Sequence, residues 1–407
     1  MPRRSGRTRR SPLEWALRGA LAATAVAVGY VGSAYSVAQA SRTTNVERAF
    51  QVTPGNAQIR ALYAQSLSGP QASSADRNRA DGLARDALRR DPTTVVAASA
   101  LGINAQARGD VAAARRFFAY AEALSRRDMQ TQLWAIEDAV AREDVPGALR
   151  HYDIALRTSP AASNLLFPIL GSAIEDDAVR AALLQTLVRG TSWTPHFINF
   201  VAGQGSEPKA AAKLFAALDR AGVPASPEAK ASLVNNLVYK GFYPEAWAYY
   251  AANHRGVSST ASRDPHFRAD AEKASLFDWT PIDAAGITAS LRAGEGGGVD
   301  FTASPSVSGP VVQQMQMLLP GDYVLQGRSR DIDQAPDARP YWVLQCYRGR
   351  ELGRVTLANS AEGQGRFAGR FTVPADCPVQ ILALVAVPSS AMSGLTGTIE
   401  QVELRRP

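Results

Sequence analysis

Arg108-Gly-Asp-Val-Ala-Ala-Ala-Arg-Arg-Phe-Phe-Ala-Tyr-Ala121, laid over Arg142-Glu-Asp-Val-Pro-Gly-Ala-Leu-Arg-His-Tyr-Asp-Ile-Ala155, agrees at six of fourteen positions at an offset of 34 residues. A period of this length is that of a helix–turn–helix solenoid unit. Such units bury their apolar faces only against neighbours, so they stack into a superhelix with a concave groove. An array of this kind binds and scaffolds, and it seldom carries out chemistry.

Working outward, the best-formed unit runs from Val95 to Asp128, with Leu101-Gly102 in its first helix, Gly109 at the turn and Ala114, Phe118 and Ala121 in its second. Gly102 and Ala114 are small where two helices must cross closely, and Phe118 fills the space between them. Gly109 permits the tight turn. This pattern resembles a tetratricopeptide repeat (TPR). The next unit, from Met129 to about Ala162, keeps Ala148, Tyr152, Ala155 and Pro160 but has Glu143 where the turn glycine is expected. The preceding unit keeps Leu67, Ala80, Ala87 and Pro92, with Ala84 in the aromatic slot and a long turn from Gly69 to Ser74. The period is lost after Pro160 and returns, degenerate, around Leu233, Gly241, Ala246 and Tyr250. Apolar spacing reads as helical across residues 45–275. The TPR resemblance implies a groove lined by the first helix of each unit, with Ser99, Ile103, Gln106, Gln130, Leu133 and Glu137 as candidates. The alternative for each is ordinary exposure or core packing. No charged clamp for a peptide carboxylate is visible among them.

Before the repeats, Gly19–Ala40 carries 22 residues without a charge. That length crosses a hydrocarbon core of about 30 Å at about 1.5 Å per residue. Arg3, Arg4, Arg7, Arg9 and Arg10 precede it and supply most of the net charge of +7. The positive-inside rule keeps a basic tail, residues 1–18, in the cytoplasm and sends the rest across the inner membrane of a bacterial cell into the periplasm. The competing reading is a cleaved signal peptide, with Ala38-Gln39-Ala40 as an A-x-A site. The rest of the chain is near charge balance, which argues against a nucleic-acid surface on the folded part. A basic arm touching nucleic acid is a minor alternative.

From residue 276 to 407 the texture changes from alanine-rich helix to alternation. Strands are expected over Val299–Ala303, Val311–Leu319, Tyr323–Gly327, Tyr341–Tyr347, Gly365–Val373, Val379–Val387 and Gly397–Leu404, with Pro320-Gly321-Asp322 as a hairpin turn. Short strands at this density suggest an antiparallel β-sandwich. Alternation puts Trp342, Leu344 and Cys346 on one face and Tyr341, Val343, Gln345 and Tyr347 on the other. The chain's two cysteines, Cys346 and Cys377, both fall here. In an oxidising compartment they pair, the alternative being two buried thiols. A bond closing about 31 residues would stabilise by roughly 3–4 kcal/mol.

The domain resembles a jelly-roll carbohydrate-binding module, its closing strand being Gly397-Thr-Ile-Glu-Gln-Val-Glu-Leu404. The order of anchor, helical repeats, Phe277-Asp278-Trp279, a Leu-Pro-Gly-Asp-Tyr hairpin and two cysteines resembles membrane-anchored TPR proteins of bacterial exopolysaccharide clusters. That resemblance implies a role in polysaccharide assembly or export, with envelope or polysaccharide-assembly proteins, and polysaccharide itself, as partners. Trp279, Tyr341 and Tyr347 are candidates for stacking on sugar faces. Their alternative is core or domain-interface packing.

No catalytic constellation stands out. The histidines His151, His196, His254 and His266 all lie in the helical region, and His151 falls in the slot of Phe117. No zinc-protease helix motif, paired Cys-x-x-Cys, phosphate loop or nucleophile elbow is present. Gly294–Gly298 reads as a loop, and Glu295 with a distant Asp would make only a generic glycosidase pair. The expectation is a multidomain, non-enzymatic scaffold with no cofactor or metal. Its three parts are a transmembrane helix (19–40), a TPR-like solenoid (45–275) and a jelly-roll-like sandwich (276–407). A purely structural envelope protein and a polysaccharide-modifying enzyme are the alternatives.

Overall fold

The computed structural model describes residues 11–270, 273–292, 294, 296–389 and 391–407. Arg3, Arg4, Arg7, Arg9, Arg10 and Glu295 lie outside the described residues. The chain divides into two compact units, Met1–Leu166 and Phe167–Pro407.

The first unit opens with helix α1 (Pro12–Ser41), begun by a Ser11 side chain that accepts from the Glu14 amide and by a proline in the first turn. At about 1.5 Å per residue its 30 residues span about 45 Å. Leu17, Leu21, Val26, Val28 and Tyr30 are all exposed along it. It is a candidate membrane span or signal sequence by length and composition. Near its end Ala38 is buried and packs with Ala49 of α2 (Val46–Val52) and with Ile59.

Three helical hairpins follow: α3 (Ala57–Ser66) with α4 (Ser74–Arg90), α5 (Val95–Ala107) with α6 (Val111–Leu124), and α7 (Met129–Ala141) with α8 (Val145–Thr158). The turns of the last two are the same structure one period apart. Gly109 N–H donates to the Gln106 carbonyl and Asp110 N–H to that of Ala105; Glu143 N–H donates to Val140 and Asp144 N–H to Ala139. This is the Schellman arrangement, which satisfies the last carbonyls of a helix through one left-handed residue. Asp110 and Asp144 then cap the next helix, each accepting at 2.9 Å from the amide three residues on. Gly109 sits at φ +79° and Glu143 at φ +58°, so the second turn forces a side chain into the left-handed region. At the helix crossing, a Cβ on Gly102 would meet the Phe118 ring at 2.7 Å. In the first hairpin the crossing is a seam of buried alanines, with Ala80, Ala84 and Ala87 against Ala61 and Ala64.

The second unit carries α9 (Ala162–Ala173, which begins in the first unit), α10 (Asp177–Val188), α11 (Thr194–Gly203), α12 (Pro208–Arg220), α13 (Pro227–Tyr239) and α14 (Tyr243–Asn253). The α13–α14 turn repeats the Schellman bonds, with Gly241 at φ +82°. The helices end at Asn253 rather than running to 275 as expected. Instead the segment after Gly256 lies along the sheets: Ser262 N–H donates to Leu404, Val402 N–H to Pro265, and Phe267 enters the β core. Its alanines mislead, because helix spacing is broken there by Gly256 and Pro265.

Two five-stranded antiparallel sheets make the sandwich. One has order β1 (Thr280–Pro281), β4 (Gly309–Gln316), β9 (Gln380–Ala386), β6 (Tyr341–Cys346), β7 (Glu351–Thr356). The other has order β2 (Ile287–Leu291), β3 (Val299–Ala303), β10 (Leu395–Arg405), β5 (Gly321–Arg330), β8 (Arg366–Val373). Trp342, Leu344, Leu382 and Leu384 from the first sheet meet Phe301, Leu325, Ile399 and Val402 from the second in one core. Cys346 and Cys377 are disulfide-bonded, their Cα atoms 5.5 Å apart.

A buried cation joins the last helical hairpin to this sandwich. Arg263 is 7% exposed and lies over the rings of Trp247, Tyr250 and Phe277 at 5.1–5.6 Å. Its Nε donates to the Tyr250 hydroxyl, which donates in turn to Asp278, and its Nη2 donates to the Met315 carbonyl of β4. Its own backbone exchanges hydrogen bonds with the Gln314 side chain. Burial pulls the guanidinium's pKa down, and Tyr250 and Asp278 act against that pull.

Three stability changes are expected. Replacing Glu143 with Gly relieves the left-handed strain and stabilises by about 1 kcal/mol, read as a raised urea midpoint. Gly102→Val drives atoms into Phe118 and costs about 1–3 kcal/mol by the same assay. Arg263→Met leaves the Tyr250 hydroxyl and the Met315 carbonyl without their buried donor and costs about 1–3 kcal/mol.

Candidate functional site

Five of the six groove residues expected from the repeat come together. Ile103 and Gln106 of α5 and Gln130, Leu133 and Glu137 of α7 line a groove of ≈ 590 Å³ with Gln65, Gly69, Pro70, Phe118 and Trp134. Ile103, Leu133 and Trp134 are half-buried and form an apolar floor. Gln106, Gln130 and Glu137 are exposed and form a polar rim. Trp134 stacks on Phe118 with centroids 4.5 Å apart and donates its indole N–H to Gln106 Oε1 at 3.2 Å. The floor is thereby held rigid by the same ring that fits against Gly102.

Ser99 departs from the expectation. It is fully buried, and its hydroxyl donates to the Val96 carbonyl. The physical reason is that α5 packs on α3, α4 and α6 at once, so its first half is enclosed on every side. Trp134 and Gln65 were not read from the sequence. Trp134 lies four residues after Gln130 and three before Glu137 on one helix face, and that spacing is the signal for it. The polar and apolar lining suits a chain segment with an apolar side chain and free backbone amides, because glutamine can both donate to and accept from a peptide group.

The stacking candidates scatter. Trp279 is 1% exposed, packs against Phe267 and Trp342, and donates its N–H to the Asp264 carbonyl, so it is core and offers no free face. Tyr341 is half-buried, with the Arg354 guanidinium 4.5 Å from its ring centre. Tyr347, also half-buried, meets Tyr243 of α14 edge-on and has Arg348 over its ring at 5.1 Å. Val343, which alternation puts on the same face as Tyr341, is buried, as are Ala383 and Met315, while Gln345 on that face is exposed. The opposite sheet turns outward a polar row of Thr288, Ser290, Asp300, Thr302, Thr396 and Thr398, around a shallow depression.

His151 fills the slot of Phe117 as packing. Its Nδ1–H donates to Gln132 Oε1, and its Nε2 accepts from Arg150. Burial, then the Arg150 charge, holds its pKa below the usual histidine value. Among the described residues, no three His, Cys, Asp or Glu side chains gather as metal ligands.

No family model matches the chain, and no curated protein does. Among solved structures it is similar to a chain of the APC/C hetero-tetramer Cut9–Hcn1 at 18% identity, covering 50% of this chain and 40% of that one with a TM-score of 0.28. A CBM4 structure is 16% identical, covering 37% of this chain and 99% of that one at a TM-score of 0.26. A chain from accessory secretory proteins 1, 2 and 3 of Streptococcus pneumoniae is 15% identical, covering 30% and 85% at 0.20. Likeness at this level carries no functional argument. The helical solenoid and the sandwich rest on the element order and strand pairing above.

The His151 geometry predicts a pH effect. A histidine kept neutral in the fold gives full stability above its free-chain pKa of about 6.5. That stability is lost as pH falls from there toward the lowered folded-state value. Thermal unfolding midpoints are expected to decline below pH 6.5, and His151→Phe, the residue type at Phe117, to flatten that decline.

Proposed function

We propose that this chain is a membrane-tethered, non-enzymatic adaptor of bacterial envelope or exopolysaccharide assembly. Its bulk lies on the periplasmic side of the inner membrane, and it docks a protein partner in the groove of its helical hairpins. The observation that carries this reading is the groove itself: an apolar floor of Ile103, Leu133 and Trp134, rimmed by Gln106, Gln130 and Glu137. An extended segment would bury an apolar side chain on that floor and pair its backbone with the amides. The exposed apolar α1 with arginines before it supports the tether. Burial of Ala38 against Ala49 and Ile59 supports its retention, because cleavage after Ala40 would strip that cluster of one wall.

A second reading, in which the sandwich also holds glycan, rests on Tyr341 and Tyr347. It is the weaker of the two, because a guanidinium lies against each ring and the outward threonine-rich row lines its depression without an exposed aromatic.

Two measurements decide. A phosphatase fused after Pro407 is expected to be active; activity only of a cytoplasmic reporter refutes the placement. A photo-crosslinking residue at position 130 in intact membranes is expected to give one discrete adduct, lost on Leu133→Glu. An adduct indifferent to Leu133→Glu places the partner elsewhere. For the glycan reading, titration of the full chain with exopolysaccharide fragments should give binding that Tyr341→Ala or Tyr347→Ala removes.

A further inference from the structure

Helix α4 sorts its charges. It carries five arginines and three aspartates, and every aspartate is engaged. Asp76 accepts from the Ser73 hydroxyl at the cap. Asp81 accepts from Arg108 and Asn104 at the end of α5. Asp86 pairs with Arg60 of α3 and with Arg90. Arg77 donates to the Gly69 carbonyl. Arg79, Arg85 and Arg89 are left exposed, and among the described residues none of them has an acidic partner. Arg79, Gly82, Arg85 and Arg89 follow one another at steps of three, three and four residues, which puts them on one helix face. Gly82 is the gap in that row, where a Cβ would meet nothing within 4 Å. The guanidiniums of Arg79 and Arg85 lie over the rings of Tyr63 and Phe117, at 5.3 and 6.0 Å from their centres.

The neighbouring hairpin extends the patch. Arg116 of α6 is exposed and stands next to Phe117, the ring under Arg85. The repeat explains why Arg116 goes unanswered. One period on, Arg150 takes its slot and approaches Glu122 at 3.9 Å. One period back from Glu122 the residue is Leu88. The array thus supplies an acid to the later arginine and withholds it from the earlier one. Cations gathered on one surface repel one another until an anion covers them.

The position of the patch in the first unit indicates which anion. Ala38, near the end of α1, packs with Ala49 of α2 and Ile59 of α3. Tyr63, one turn along α3 from Ile59, stacks on Phe50 of α2 and carries the Arg79 guanidinium on its ring. The arginine row therefore begins in the helical layer that meets the end of the candidate membrane span. Arg42 and Arg48, also exposed, belong to that layer. Arginine forks match phosphate oxygens two at a time, and basic groups beside a span are drawn to anionic headgroups.

We propose that Arg79, Arg85, Arg89 and Arg116 dock the first unit onto the anionic phospholipid headgroups of the membrane that holds α1. This docking presupposes the tether proposed above and is separate from the groove.

The test uses the full chain in lipid nanodiscs, with a fluorophore on Gly82→Cys; the native cysteines are disulfide-bonded and do not take the label. A nitroxide on the headgroups should quench the label in discs containing phosphatidylglycerol. Quenching should fall in discs of phosphatidylcholine alone, and in about 1 M salt, where the Debye length is about 3 Å. Arg85→Gln and Arg89→Gln should each cut the ratio of docked to undocked chains by about fivefold, with the thermal midpoint unchanged, and Arg89→Lys should keep most of that ratio. Equal quenching in both lipids would show closeness imposed by the tether alone, and overturns the proposal. So does an unquenched label in the anionic discs, including the case where polyglutamate shifts its emission instead and makes an acidic chain the occupant. A chain that enters discs of neither lipid defeats the tether reading; flotation with phosphatidylglycerol vesicles then decides the surface, and protein that does not float overturns it.

Discussion

The second unit is organised around a charge that cannot leave. Once Arg263 is enclosed by Trp247, Tyr250 and Phe277, its Nε and Nη2 take acceptors from the elements around it, which are placed accordingly. Tyr250 comes from the last helix, Asp278 from the linker into the first strand, and the Met315 carbonyl from β4. Helical hairpin, linker and sheet are each bound to the same side chain, so none can shift without exposing the cation to an apolar surround. A buried polar group stripped of its partner is expensive. Here that cost acts as a register pin, fixing how the segment from 254 to 279 threads along the sheets. The core aromatic Trp279 and the entry of Phe267 follow from that placement.

The repeat hairpins were legible because their constraint is local and periodic. Gly102, Ala114 and Phe118 are a steric set, and the overlay at 34 residues displays it without any three-dimensional knowledge. The strands of the sandwich were mostly legible from alternation, whereas β1, β2 and β7 escaped it. Thr280–Pro281 is two residues long, and Glu351–Thr356 is an edge strand whose burial pattern does not alternate cleanly. Period two says which residues share a face, but it cannot say how deeply each one, such as Val343, is buried there.

The candidate groove was legible to the same degree and for the same reason. Ile103, Gln106, Gln130, Leu133 and Glu137 fall on the first helices at spacings the repeat dictates. Ser99 lies on the same stripe of α5, but the neighbouring helix covers that end, a long-range fact the stripe does not contain. Trp134 and Gln65 line the groove from different hairpins.

The turn at Glu143 bears on how such arrays diverge. Its hydrogen bonds match those at Gly109 one for one, although its side chain is unsuited to the backbone it must adopt. What has been kept between the two copies is therefore the path of the main chain, while the residue that would signal that path has drifted away. Neighbouring helices hold the loop in shape, so a substitution that would abolish an isolated turn is absorbed as a small loss. Searches that recognise hairpins by their glycines will consequently undercount the members of an old array. The surviving aspartate caps, Asp110 and Asp144, are the more durable mark of common descent.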